Sequence, residues 1–358
     1  MTVTRQVAHG TARMARPKVV LLEPLYHPAG ESLLRAHCEV EVLRAPSAAA
    51  AIAAAADADA LCARYPNRVG EALLAAAPRL VIVASSGRGA DAIDIEAATR
   101  HGVAVVNNPG FGKRPVSEAA IAMMLALGKR LLAADAWMRR GEGWQRRGDF
   151  SQYLELEGKT LGIVGLGQIG SETARKAIAA FRMRVLAYDP YMPAGHAQAL
   201  VAQAVDSLAE LLAASDIVSM HPELTPETIG MIGEAQLRCM KPGAYLVNTA
   251  RGKVVQQAAL VRALREGWIA GAALDVYEDE PMGPASPLYA LDNVLLMPHV
   301  AGLTGEAVEG MSLSAARQIL QALAGRRPAH ILNPASWPAA SARAAAANWP
   351  LAFTDVPE

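Results

Sequence analysis

The sequence predicts an α/β protein of two doubly wound parallel-sheet domains, one inserted into the other, and three observations lead there. Short apolar runs alternate with helix-compatible stretches along most of the chain, as parallel strands covered on both faces require. A glycine-rich turn, Gly165-Leu-Gly167-Gln168-Ile169-Gly170, lies far into the chain, although such turns usually open their domain. A second alternating series follows it, and the chain then closes on one more helix.

In chain order, residues 19–22 and 40–43 read as strands, 48–56 as an alanine-rich helix, and 60–63, 80–83 and 103–106 as strands. A helical stretch over 117–140 leads to the glycine turn. Strands are then predicted at 161–164, 185–188, 217–220, 244–247, 271–276 and 294–297. A helix from 305 to 323 returns to pack on the first domain. The expected organisation is 17–114 plus 305–334 for the outer domain and 115–304 for the inserted one, with 1–16 and 335–358 as poorly ordered or extended termini.

Composition narrows the function classes. The 358 residues carry 34 basic and 34 acidic side chains, so no net charge argues for nucleic acid or an anionic membrane as a partner. The apolar run at 119–127 is too short to span a bilayer and is closed by Lys129 and Arg130. Residues 1–16 lack the apolar segment of a secretory signal. Cys38, Cys62 and Cys239 show neither metal-ligand spacing nor a disulfide framework. The expectation is a soluble cytoplasmic protein without a bound metal.

Each residue of the glycine turn has a task. Gly165 permits the sharp exit from the strand, Gly167 admits a pyrophosphate, and Gly170 lets helix and strand approach closely. Gln168 and Ile169 begin the helix whose free N–H groups and dipole hold the anion. A second strand ends at Asp189, about twenty residues on, where a carboxylate accepts hydrogen bonds from a ribose diol and repels a 2′-phosphate. The bland reading of Asp189 is a turn residue before Pro190. With the glycines in register, the pattern is that of a Rossmann domain and the cofactor is NAD.

Three later strand ends carry chemistry: Asn248-Thr249-Ala250-Arg251-Gly252, Asp275 to Glu280-Pro281, and Pro298-His299-Val-Ala-Gly302-Leu-Thr304. Arginine grips a carboxylate with two prongs, histidine moves a proton near neutral pH, and a neighbouring carboxylate favours the protonated ring. Taken singly, Arg251 could be a surface charge, His299 a satisfied loop histidine, and 278–280 a solvated turn. Together at strand ends they suggest hydride chemistry on an anionic substrate.

With these motifs, and with Ser86-Gly87-Arg88-Gly89 and Val116-Ser-Glu118 in support, residues 60–330 resemble the D-isomer-specific 2-hydroxyacid dehydrogenases. The resemblance implies a flavodoxin-like substrate domain split by the NAD-binding domain. It makes Arg251 the group that binds the substrate carboxylate, His299 the acid-base residue, and Glu280 its charged partner. It places Asp275 near the nicotinamide carboxamide, with Thr249, Ala250, Arg251, His299 and Gly302 along the cofactor. His221 and Thr228 fall on its adenosine and phosphate side. His221-Pro-Glu-Leu-Thr225 departs from the family's usual His-x-Pro-Leu-Thr, so a structural His221 is an equal alternative. Arg64, Ser86 and Gly87 are implied in substrate binding. The implied substrates are small 2-hydroxy or 2-keto acids, glyoxylate and hydroxypyruvate among them. The implied assembly is a homodimer through the NAD-binding domains, with residues 137–144 as the contact. The other function class is an NAD-sensing corepressor-like protein with a retained dehydrogenase site.

Overall fold

The computed structural model describes residues 16–349, with the backbone alone at 150–152. It divides into one unit made of Met1–Pro109 and Val308–Glu358 and another made of Gly110–Ala307.

The first unit opens with β1 (Lys18–Leu21), α1 (Pro28–His37), β2 (Glu39–Val42), α2 (Ala48–Ala55) and β3 (Ala60–Ala63). It continues with α3 (Glu71–Ala76), β4 (Ile82–Ser85), α4 (Ile95–Arg100) and β5 (Ala104–Val106). Side-chain caps start several helices where the sequence offers them: Ser47 accepts from the Ala50 N–H and Asp94 from the Ala97 N–H. The strands pair in parallel in the order β2-β1-β3-β4-β5, the flavodoxin-like order. Strands β3, β4 and β5 are buried at every position, which is why they read as continuous apolar runs.

The second unit begins with α5 (Lys113–Gly128) and α6 (Leu131–Arg139). Here the single helix expected over 117–140 is two. The chain breaks where Arg130 takes a left-handed conformation at φ 46°, just after Gly128, whose carbonyl accepts from the Leu154 N–H at 2.8 Å. Then follow β6 (Thr160–Val164), α7 (Gln168–Phe181), β7 (Arg184–Tyr188), α8 (His196–Ala199), β8 (Gln203–Ala204), α9 (Leu208–Ala214) and β9 (Ile217–Met220). The unit is completed by α10 (Glu234–Cys239), β10 (Tyr245–Asn248), α11 (Gln257–Glu266), β11 (Gly271–Leu274) and β12 (Val294–Leu296). The parallel order is β12-β11-β10-β9-β6-β7-β8. The chain therefore winds one way from β6 and the other way from β9. The crevice at that reversal, beyond the carboxyl ends of the strands, is where such sheets bind ligands.

The chain returns to the first unit through α12 (Gly305–Leu323) and closes with α13 (Trp337–Ala347). This corrects the extended or disordered tail expected from 335. Ala340 and Ala344 are buried in one apolar cluster with Val19 and Leu21 of β1 and Ile319 and Leu320 of α12. A near-continuous alanine run shows no contrast between faces, so there is no period to read. Asn333 ties this return to β5: its Oδ1 accepts from the Val105 N–H at 2.8 Å and its Nδ2 donates to the Val103 carbonyl at 2.9 Å. Residues 1–15 and 350–358, also assigned to the termini, lie outside the described residues.

Among the described residues, no helix is long and apolar enough to cross a membrane, and no group of His, Cys, Asp and Glu could hold a metal ion. Cys38 and Cys62 are buried, and burial pushes both thiols up to about 12; Cys239 is exposed.

Candidate active site

Strand register lines up the polar residues of the second unit. Tyr188, Val164, Met220, Asn248 and Leu274 are paired neighbours across β7, β6, β9, β10 and β11. The residues that directly follow them are Asp189, Gly165, His221, Thr249 and Asp275. Four strand spacings of about 4.8 Å give this row a length of about 19 Å. Five candidate residues far apart in sequence thus end the same edge of one sheet.

Gly165 adopts φ +87°, and a Cβ there would stand 2.8 Å from the Pro222 backbone nitrogen. A Cβ on Gly170 would meet the Gly165 carbonyl oxygen, so the helix can approach the turn only through glycine. At Gly167 a Cβ would meet nothing within 4 Å, and Gly167 caps α7 without a side-chain bond, leaving the helix's first N–H groups open. Asp189 braces this turn: its Oδ2 accepts from the Leu166 N–H at 2.9 Å and its Oδ1 from the Tyr191 N–H at 3.0 Å. Each oxygen keeps a lone pair for a ribose hydroxyl. Two buried polar atoms on the row, His221 Nδ1 and Thr249 Oγ1, have no hydrogen-bond partner within the protein. An open helix start, a free carboxylate edge and two orphaned polar atoms fit a dinucleotide laid along the row.

His221 Nε2 lies 2.9 Å from Ser219 Oγ, and burial lowers the ring to about 4, so it is neutral at pH 7. Thr228 has a different commitment. Its hydroxyl donates to the Glu223 carbonyl and accepts from the Thr225 N–H at 2.8 Å, so it shapes its own loop.

At the other end of the row, three loops bring charge together. His299 Nδ1 and Glu280 Oε2 are 2.6 Å apart, and the second oxygen of Glu280 accepts from the Tyr277 N–H at 2.9 Å. With Nδ1–H donated to Glu280, the opposite ring nitrogen, Nε2, carries the exchangeable proton. His299 sits at φ +57°, a left-handed conformation that is costly for a residue with a side chain. Buried Asp275 holds it there: its two oxygens accept from the Val300 and Ala301 N–H groups at 2.8 and 3.0 Å. Burial pushes the Asp275 carboxyl up, against those two bonds and the His299 charge. The hydrogen bond to Glu280 holds His299 above the ordinary imidazole value, against burial and the Arg251 charge.

That opposition also places Arg251 within electrostatic reach of His299. The β10 loop is seated by Gly252, where a Cβ would run into the Tyr277 backbone. Asn248 braces the loop from within, accepting from the Ala250 N–H at 3.0 Å and donating to the Arg251 carbonyl at 3.0 Å.

Residues 121–301 match the model of the family described as D-isomer specific 2-hydroxyacid dehydrogenase, NAD binding domain. The glyoxylate reductase of Thermofilum pendens is 40% identical over 326 residues, 89% of this chain and 95% of that protein. The chain belongs to the D-isomer specific 2-hydroxyacid dehydrogenase family. Among solved structures, a Thermus thermophilus protein is 34% identical with a TM-score of 0.80, over 88% of this chain and 99% of that one. The NADPH-dependent glyoxylate/hydroxypyruvate reductase of Sinorhizobium meliloti, solved with NADP and malonate, is 28% identical with a TM-score of 0.79, over 90% and 98%. This dehydrogenase is accordingly an oxidoreductase that interconverts 2-hydroxy and 2-keto acids with NAD(H).

In the first unit of the enzyme, the Arg64 guanidinium lies 4.1 Å over the Tyr26 ring and donates to the Pro24 carbonyl at 2.9 Å. Ser86 is buried and donates its N–H to the Ala63 carbonyl, while Gly87 has open space beside it. Gly302 of the dehydrogenase packs on Val116, 3.6 Å from where a Cβ would stand. Three positioning residues have no individual role in the sequence reading: Asn248, Ser219 and Tyr277. Asn248 had a signal, since Asn at a strand end before a turn often bonds the backbone two residues on. Tyr277 had none, because its contribution is a backbone N–H.

Proposed function

We propose that the enzyme reduces a small 2-keto acid such as glyoxylate or hydroxypyruvate to the D-2-hydroxy acid, with His299 as proton donor, Glu280 as its charged partner and Arg251 as the carboxylate grip. The observation that carries this is Glu280, bonded at once to the His299 ring and to the Tyr277 N–H. It fixes the tautomer and orientation of the ring together. NADH, when bound, supplies the hydride for the 2-keto carbon. Nε2 of His299 gives its proton to the oxygen on which charge develops, and the Arg251 guanidinium pairs with the carboxylate and draws electrons from the carbonyl. In the oxidative direction neutral His299 takes that proton back. Gly167, Gln168, Ile169 and Asp189 would hold the dinucleotide at one end of the row, His221 and Thr249 at its middle, and Asp275 with Ala250 and Gly302 near the reacting end. Arg64, Ser86 and Gly87 are proposed on the substrate side, and the cytoplasm as the compartment.

The glyoxylate reductase relative supports a two-carbon acid, and the glyoxylate/hydroxypyruvate reductase structure a three-carbon one as well. The test follows NADH absorbance over a panel of 2-keto acids graded by side-chain size. Glyoxylate and hydroxypyruvate are expected to show the highest kcat/KM; a preference for bulky aromatic acids would remove the small-substrate reading.

We also propose a homodimer through the second unit. Leu131, Leu132 and Met138 of α6 are 52, 62 and 54% exposed, and Trp144 beyond it is 70% exposed. Such a patch needs cover. Trp137, expected at the contact, is buried within its own unit, with the Arg130 and Arg146 guanidinium groups over its ring. Leu132→Asp is expected to halve the mass measured by light scattering, with an unchanged circular dichroism spectrum. A wild-type mass of one chain would end the dimer proposal.

A further inference from the structure

One acidic residue beside the nucleotide turn has no part in the chemistry above. Two residues past Asp189, the side chain of Tyr191 reaches out of the β7 turn and its hydroxyl donates to Glu227 Oε2, on the loop that follows β9. The Tyr191 backbone N–H is bonded to Asp189 at the same time. A chain of contacts therefore runs from the Leu166 N–H in the glycine turn through Asp189 and Tyr191 to Glu227.

We propose that Glu227, presented by Tyr191, is a second carboxylate that makes this enzyme discriminate against NADP(H). The inference rests on the reading that Asp189 meets the adenosine ribose. The two segments that frame the position carry two histidines, His196 and His221, and no permanent cation. Residues 189–200 and 221–233 contain Asp189, Glu223 and Glu227 and no Lys or Arg. A 2′-phosphate is ordinarily met by a nearby Arg. Here it would face carboxylates on both sides of the crevice.

The contact to Glu227 also raises the Tyr191 hydroxyl above its usual range, so the phenol stays a donor and the carboxylate stays where the bond puts it. Tyr191 is a positioning residue in this reading, and Glu227 is the specificity residue. Neither needs to touch NADH for the effect. A dianionic phosphate about 10 Å from one carboxylate loses about three- to tenfold in affinity at low ionic strength. NADH, which has a hydroxyl there, loses almost nothing. A neutral amide in place of Glu227 keeps the hydrogen bond from Tyr191 and removes only the charge.

The experiment measures Kd for NADH and for NADPH by fluorescence titration, without substrate, in wild type, Glu227→Gln, Glu227→Asp, Tyr191→Phe and Asp189→Ser. The readout is the ratio of Kd for NADPH to Kd for NADH. Glu227→Gln is expected to lower the ratio about three- to tenfold at low salt. That shift should shrink in 1 M salt, where the screening length falls to about 3 Å. Glu227→Asp should restore most of the ratio, and Tyr191→Phe should lower it by less than Glu227→Gln. Both side chains are exposed, and thermal melts check that the variants stay folded. A shift in Asp189→Ser with none in Glu227→Gln overturns the inference and leaves the ribose reading standing. No shift in either overturns both.

Discussion

Replacing His299 by alanine is expected to lower kcat/KM for keto-acid reduction by about 10²- to 10⁴-fold, the range of a lost general acid. NADH affinity, read by fluorescence titration, should change far less. The more diagnostic variant is Glu280→Gln, because its effect depends on pH with a defined sign. Glu280 holds His299 above its ordinary value of 6.5. With His299 as the proposed proton donor, reduction needs the protonated ring, so the wild-type rate is expected to be flat at low pH and to fall as pH rises through the raised value. Glu280→Gln removes the main cause of that elevation, and the falling limb moves to lower pH. The loss of rate should therefore be small in acid and grow with pH. Oxidation needs the neutral ring, so its rising limb moves the same way. Parallel loss at every pH, with both limbs in place, would show that Glu280 positions the ring without setting its charge.

Replacing Asp275 by alanine is expected to destabilise the enzyme by about 2–6 kcal/mol, since the N–H groups of Val300 and Ala301 lose their acceptors at about 1–3 kcal/mol each. At roughly 2–4 °C per kcal/mol for a domain of this size, Tm should fall by about 4 °C at the least. Activity should fall further than stability explains. Those two bonds keep His299 in a left-handed conformation, and the relaxed loop would carry the ring away from Glu280. Asp275→Asn, which keeps one acceptor, should recover part of the Tm. Thermal melts and kcat at a temperature where both variants are folded separate the two effects. An unchanged Tm in Asp275→Ala would mean that the loop finds other partners.

Much of the architecture was legible because parallel strands buried on both faces are written as uninterrupted apolar runs. Residues 60–63 and 217–220 read as strands and fold as β3 and β9. The failures have equally plain causes. Residues 117–140 read as one helix because the local pattern stays helical through Lys129 and Arg130. The break coincides with a contact between segments, the Leu154 N–H donating to the Gly128 carbonyl at 2.8 Å. Residues 335–349 read as a loose arm because alanine gives no amphipathic contrast, and α13 exists by virtue of the core it completes.

For the candidate site the division is similar. Residue types and spacing alone marked Gly165, Gly167, Gly170 and Asp189 for a dinucleotide, since a tight turn, a close approach and a ribose contact each demand particular residues over a short span. They also marked Arg251, Glu280 and His299 as charges at strand ends. Who holds whom depends on the folded chain. That Asp275 pins the His299 loop, that Tyr277 pins Glu280, that Thr228 serves its own turn and that Glu227 is brought to Tyr191 are contacts between loops far apart in the chain. A sequence records which groups can bond over short distances along it; only the sheet, by ending β7, β6, β9, β10 and β11 in one row, brings distant groups within bonding range.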